Sequence, residues 1–162
     1  MRNSGECCAK TSSCTTESGL PTSAVAAQYR ETTGGRVTVV GTELSLSDRI
    51  GGWKVRWGIG RDRYSIPAGL YSVGEPGRQS PVLVTANYKL SFDTLRRELG
   101  GLDAWILVLD TRGINVWCAA GKGTFGTDEL VRRIEELRLR EVVEHRTVIL
   151  PQLGAPGVAA HE

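Results

Sequence analysis

Two short apolar runs constrain this chain more than any other feature. Val82 to Thr85, in "PVLVTANYK", is a β-branched run fit for a buried parallel strand, and "AWILVLD", 104 to 110, reads as a second buried strand. Between them "SFDTLRRELGG" has the marks of a helix, with Ser91 as N-cap, Leu90 and Leu95 as a hydrophobic staple and Gly100 as the stop. Downstream, "TDELVRRIEELRLREVVEH" predicts a longer helix capped by Thr127, with Asp128 and Glu129 in its first turn, and "RTVIL" a third strand. Strand–helix–strand–helix–strand with short links predicts an α/β fold, a Rossmann-like parallel sheet with flanking helices. Upstream, "RVTVVGTEL" opens the ordered part as a strand. In "GGWKVRWGIGRDRYSIPAGLYSVG" Trp53, Val55 and Trp57 alternate with charged residues, and turns follow at Gly58, Gly60 and Pro67–Gly69. That spacing predicts a small antiparallel N-terminal element.

The 162 residues suit one domain with a tail. Residues 1–33 are Ser/Thr/Gly-rich and aperiodic, which predicts a disordered tail ahead of a domain spanning 34–162. A 40% hydrophobic fraction supplies a core of ordinary size, and 20 glycines imply many tight turns or backbone close to a large ligand. The formal charge of +2 is too small to argue for nucleic acid, and "RRIEELRLREVVEHR" interleaves both signs as a solvated helix face does. No stretch approaches the ~18 apolar residues of a membrane helix, and "MRNSGECCAKTSSCTTESG" lacks the apolar centre of a signal peptide. The expected location is the cytoplasm, where thiols stay reduced. Cys7, Cys8 and Cys14 match neither iron–sulfur nor zinc spacing. They read as exposed thiols on a tail, with soft-metal capture as the other reading.

In parallel sheets ligands sit beyond the carboxyl ends of the strands. Three segments rich in small residues fall there: "TANYK", "TRGINVWCAAGKG" and "PQLGAPGVAA". The middle one contains Cys118. Asn115 is a good N-cap and Gly121 a good stop, so Val116 to Ala120 form about one and a half turns, with Cys118 projecting toward whatever lies across the helix. A free cysteine can also be a small core hydrophobe. "GKGTFGT" lacks the order of a phosphate loop, and "GKGTFG" does not open a helix after a strand. A C-x-x-C partner is missing. A Cys–His pair would need His145 or His161, neither in an obvious carboxylate-oriented setting.

The string "NVWCAAGKG", Asn115 to Gly123, resembles the cap-helix motif of the mercury-methylation corrinoid protein family (HgcA). So do "VLVTANYKLSFDTLRREL", "LDTRGINVWCAAGKGTFGT", "ILPQLGAPGV" and "GTELSLSDRIGGWKVRWGIGR". The domain is related to the large subunit of the corrinoid iron–sulfur protein of acetyl-CoA metabolism. The resemblance implies a cobalamin or related corrinoid bound on the α/β domain, with Cys118 the lower axial thiolate on cobalt and the catalytic residue. It implies that Asn115, Val116, Trp117, Ala119, Ala120, Gly121 and Lys122 shape the cap and that Thr85 contacts the ring. Leu153, Gly154, Ala155, Pro156, Gly157 and Val158 would line a groove for the cofactor's tail. The activity implied is transfer of a methyl group from a methyl-folate donor system, by way of cobalt, to Hg(II), giving methylmercury. A ferredoxin-like 4Fe–4S partner (HgcB) would supply electrons, at the cytoplasmic face of a membrane. Members of that family continue into a membrane-embedded domain, so the expectation here is an isolated corrinoid-binding part without a membrane segment. The alternatives are a methyl carrier of one-carbon metabolism with another acceptor, and a non-enzymatic flavodoxin-like module in which Cys118 is merely buried.

Overall fold

The computed structural model describes residues 28–60 and 64–159, so Cys7, Cys8, Cys14 and His161 lie outside it. The chain forms an α/β fold on a five-stranded sheet of order β1-β2-β3-β5-β4. The strands are β1 Gln28–Thr32, β2 Gly35–Val39, β3 Gly69–Val73, β4 Val82–Ala86 and β5 Ala104–Leu109. The two apolar runs are β4 and β5, paired in parallel from Val82↔Trp105 to Ala86↔Leu109. The sheet as a whole is mixed, because β3 runs antiparallel to β5 and parallel to β2. The antiparallel N-terminal element exists, but it is the β1–β2 pair. It starts at Gln28, inside the stretch expected to be tail, and it pairs because Gly35 (φ +121°) turns the chain after Thr32.

Period-two alternation divides the core. Val82, Val84, Ala86, Trp105, Leu107 and Leu109 share one apolar cluster, and Leu83, Ile106 and Val108 join the other. Helix α2, Lys89–Glu98, covers the second face through Phe92. Helices α3 Val116–Gly121, α4 Thr127–Glu136 and α5 Leu139–Val142 serve the first through Val116, Leu130 and Val142.

Four sequence readings change. Trp53 and Val55 lie on a helix, α1 Leu46–Arg56, with Trp57 as its C-cap, rather than on a strand. Ser45 and Asp48 form a reciprocal capping box at its start, and the spacing of four between the tryptophans fits a helix face as well as a strand. Helix α2 starts at Lys89, two residues before the Ser91 expected as its cap, and its own cap, Tyr88, makes no side-chain bond; Leu90 and Leu95 pack on different clusters instead of stapling each other. The long helix breaks at Arg138 (φ +47°), giving α4 and α5, with Gly126 rather than Thr127 at the cap. The third strand shrinks to one bridge, Leu83↔Ile149, because Pro151 soon removes a donor. No helix of the described residues is long and apolar enough to cross a membrane.

A buried charge quartet draws Lys89 into α2. Its Nζ lies 2.6 Å from both Asp48 Oδ1 and Asp93 Oδ2. Arg96 bonds Asp93 Oδ1 (2.8 Å) and Asp48 Oδ2 (3.0 Å), and also donates to Gly41 O and Glu43 O. Each charge meets opposite partners on two sides, as burial demands. Burial alone would raise the Asp48 carboxyl. Hydrogen bonds from Lys89 and Ser45, with the Lys89 charge, outweigh that and hold it at about 2, against an ordinary 3.8.

Because the folded value is the lower one, this contribution is complete above the ordinary value and is lost as pH falls through the folded one. Chemical denaturation should therefore show stability declining from about pH 4 toward about pH 2, and Asp48→Asn should flatten that decline. Asp48→Ala should cost about 3 kcal/mol at neutral pH, since it strands Lys89 and Arg96.

Candidate functional site

Strands β4 and β5 end side by side, and the next residues tie their loops together. Asn87 N donates to Leu109 O (3.0 Å), and Asn87 Nδ2 donates to Asp110 Oδ1 (3.1 Å). Asn87 Oδ1 accepts from Thr111 N (3.1 Å) and Gly113 N (2.9 Å). The Thr111 hydroxyl sits 2.9 Å from Asn87 Oδ1 and 2.7 Å from Ile114 O, sharing its proton between them. Asp110 Oδ1 also accepts from Arg112 N (3.0 Å), closing a tight turn through Arg112 (φ +57°) and Gly113 (φ +71°). Behind it, Glu129 in the first turn of α4 accepts from Asp110 N (2.9 Å). Burial would raise the Glu129 carboxyl, but the Asp110 N–H and the guanidinium groups of Arg133 and Arg132 hold it below the usual carboxylate range.

This turn delivers the chain to α3. Asn115 caps the helix, its Oδ1 accepting from Cys118 N (2.9 Å). Val116 and Ala119 face the core, and Trp117 stands 69% exposed. At about 100° per residue Cys118 lies roughly 200° from Val116, on the side away from the core, and is half-buried. The 3-10 helix Gln152–Gly157 packs against α3. A Cβ at Gly154 would come within 2.5 Å of Phe125 Cε1 and 3.1 Å of Val116 Cγ1, and one at Gly157 would collide with Phe125 O. Both glycines therefore serve close approach. Gly121 differs: a Cβ there would meet nothing within 4 Å.

A groove of about 640 Å³ opens between the end of β4, α2 and α3. Of the residues singled out from sequence, Thr85, Asn115, Val116, Trp117 and Leu153 line it together. Cys118 and Ala120 lie on α3 outside the groove, Ala119 is core, and Gly121 and Lys122 are exposed at the helix end. Gly154 and Gly157 face α3 rather than the groove, Ala155 and Pro156 are exposed, and Val158 packs on the core. Sequence reading missed Tyr88, Leu90, Ser91 and Leu95 of the opposite wall, and missed Asn87 and Glu129, which position α3 without lining this groove. An asparagine directly after a buried strand run was the available signal for Asn87.

Cys118 is the one thiol among the described residues, and no group of three or more His, Cys, Asp or Glu among them could hold a metal ion. A single soft donor suits a metal already chelated by a macrocycle. His145 does not compete, because its Nε2 is 2.9 Å from Ser80 O, at the opposite end of β4. The open space beside Gly121 and the apolar groove next to α3 fit a large flat ligand with a tail.

Residues 61–160 match the family model described as the CO dehydrogenase/acetyl-CoA synthase delta subunit. Curated relatives include acetyl-CoA decarbonylase/synthase complex subunit gamma of Archaeoglobus fulgidus, 34% identical over 97 residues, and that of Methanopyrus kandleri, 36% identical over 97. Subunit gamma 2 of Methanosarcina thermophila is 37% identical over 99 residues. Each similarity covers 59% of this chain and 21% of the relative, so the chain spans about a fifth of the length of the curated relatives it matches.

Asn87→Ala should strand the N–H groups of Thr111 and Gly113, at about 1–3 kcal/mol for each buried donor left unmade. Amide exchange should speed up across Thr111–Gly121 while β4 and β5 stay protected. Uniform acceleration through the whole sheet would show that Asn87 serves global stability only.

Proposed function

Since the chain belongs to the CO dehydrogenase/acetyl-CoA synthase delta subunit family, we propose that residues 28–159 form a corrinoid-binding module that carries a methyl group in one-carbon metabolism. The observation that carries this reading is the meeting of a capped short helix and an apolar groove at one sheet edge, with Cys118 on the outward side of the helix. The relatives named as subunits of acetyl-CoA decarbonylase/synthase complexes support a place beside other subunits; a reductant such as an external 4Fe–4S protein is part of the proposal alone.

The corrinoid would supply cobalt, a soft centre able to accept and release a methyl group. The chain's own residues then have distinct tasks. Thr85, Trp117 and Leu153, with Asn115 and Val116, would hold the cofactor's tail in the groove and exclude water from it. Gly121 leaves clearance, and the backbone of Ala119 and Ala120 keeps the helix close-packed below. Cys118 would offer its sulfur as a thiolate donor to the cofactor's metal, its backbone N–H fixed by Asn115. The other residues from Ala119 to Lys122 would frame the cap, and the 3-10 helix through Val158 would brace it.

A second reading keeps the same site and makes Hg(II) the methyl acceptor. Cys118 favours it: a thiolate is a stronger electron donor than imidazole, and as a donor to the cofactor's metal it would suit transfer of a methyl group to a soft electrophile. The family match carries the one-carbon reading further, and the mercury reading rests on the string Asn115 to Gly123 and its cysteine.

Mixed with cobalamin, the purified chain should take up colour that survives gel filtration. Cys118→Ala should still bind but lose the thiolate-dependent absorption and electron-resonance features, while Leu153→Ala should weaken binding about tenfold. A colourless chain after reconstitution sinks the reading. Methyl transfer to Hg(II), abolished by Cys118→Ala, would select the second reading.

A further inference from the structure

Helix α1 is built inside out. At about 100° per residue, Leu46, Ile50, Trp53 and Trp57 fall within roughly 60° of one another, while Asp48, Gly51, Gly52 and Val55 fill the opposite side. The inner side is docked: Val55 is buried, a Cβ at Gly51 would press on the Tyr64 ring, and the Asp48 carboxylate is locked in the quartet. The outer side is bare. Trp57 is 80% exposed, Trp53 69% and Ile50 55%, and with Ile59 they form an apolar groove of about 410 Å³. Lys54 flanks the stripe on one side, Arg49 and Arg56 on the other, and none of the three makes an ion pair among the described residues. The helix exposes no carboxylate of its own.

We propose that this face of α1 docks on an anionic lipid bilayer surface, with Trp53 and Trp57 at headgroup depth and Arg49, Lys54 and Arg56 against lipid phosphates. Bulky apolar side chains flanked by cations on both sides are what an interfacial helix presents, and tryptophan prefers that boundary. A second copy is a poor occupant, because two such faces would set Arg49, Lys54 and Arg56 of one copy against the same cations of the other. Residues 1–27 are a poor occupant too: their charges, Arg2 and Lys10 against Glu6 and Glu17, cancel and offer the cations nothing. A protein partner would need carboxylates in register on both sides of the stripe, whereas a bilayer supplies phosphates in every direction.

The test needs no cofactor. The chain is co-sedimented with vesicles of phosphatidylcholine holding about 30 mol% phosphatidylglycerol, and with pure phosphatidylcholine vesicles, at about 0.1 M salt. It should bind the anionic vesicles with a blue-shifted tryptophan emission and leave the neutral ones largely free. Trp53→Ala/Trp57→Ala and, separately, Arg49→Gln/Lys54→Gln should each weaken binding at least about tenfold, consistent with roughly fivefold per charge. Unchanged melting of both variants would show that these exposed changes leave the fold intact, and the charge pair remains a clean test if the tryptophan pair melts lower. No binding to anionic vesicles, equal binding to neutral ones, or binding indifferent to both pairs overturns the proposal. So does a concentration-dependent dimer that the tryptophan pair abolishes, which would assign the face to a second copy.

Discussion

The Asn87 carboxamide is the constraint on which the site depends. A six-residue helix such as α3 has no stability of its own in water. It exists because a turn hung on Asn87 hands the chain over at a fixed angle and because Val116 and Ala119 find a core below. One oxygen collects two backbone N–H groups and a hydroxyl from the β5 loop, while the amide nitrogen reaches Asp110 on the same loop. Donor and acceptor on one short side chain are both needed, and few residues offer them. In a buried setting such a network is strong when complete and costly when broken.

A second polar assembly does the same for the other layer. Asp48, Lys89, Asp93 and Arg96 lock α1 to α2 and reach the β2–α1 loop through Gly41 O and Glu43 O. With charges and glycines holding the inner side of α1, its large apolar residues are left for the outside. Leu90 and Thr94 of α2 line both the groove beside α3 and a separate one of about 700 Å³ between α2 and α1, which Glu43, Arg49 and Arg56 also line.

Strands β4 and β5 and the cap helix were legible in sequence because each follows from local rules: a β-branched run covered on both faces, and an asparagine four residues ahead of a small-residue stretch. What escaped was decided at a distance. Trp53, Val55 and Trp57 satisfy two periodicities at once, and the choice fell to Asp48 and its partners some forty residues away. Ser91 is a reasonable cap in isolation, yet Lys89 enters the helix to reach two carboxylates. The reversal of β3 against β5 cannot be read from either strand, since nearly every residue of both is buried whichever way they run. For the site, the edge position of "TANYK" pointed to Thr85, but the α2 wall, Leu90 to Leu95, became visible only once the helix was docked.

The single bridge at Ile149 has a consequence for the margin of the sheet. Ile149 N and O both bond back to β4, at 2.8 and 2.9 Å, and within two residues Pro151 ends the ladder. Beyond β4 there is thus a one-rung fringe and then a ring without an N–H, rather than a row of idle donors and acceptors. A stray extended peptide finds almost no template there, so this flank of the molecule is guarded against edge-to-edge fibril growth by its shortest β element.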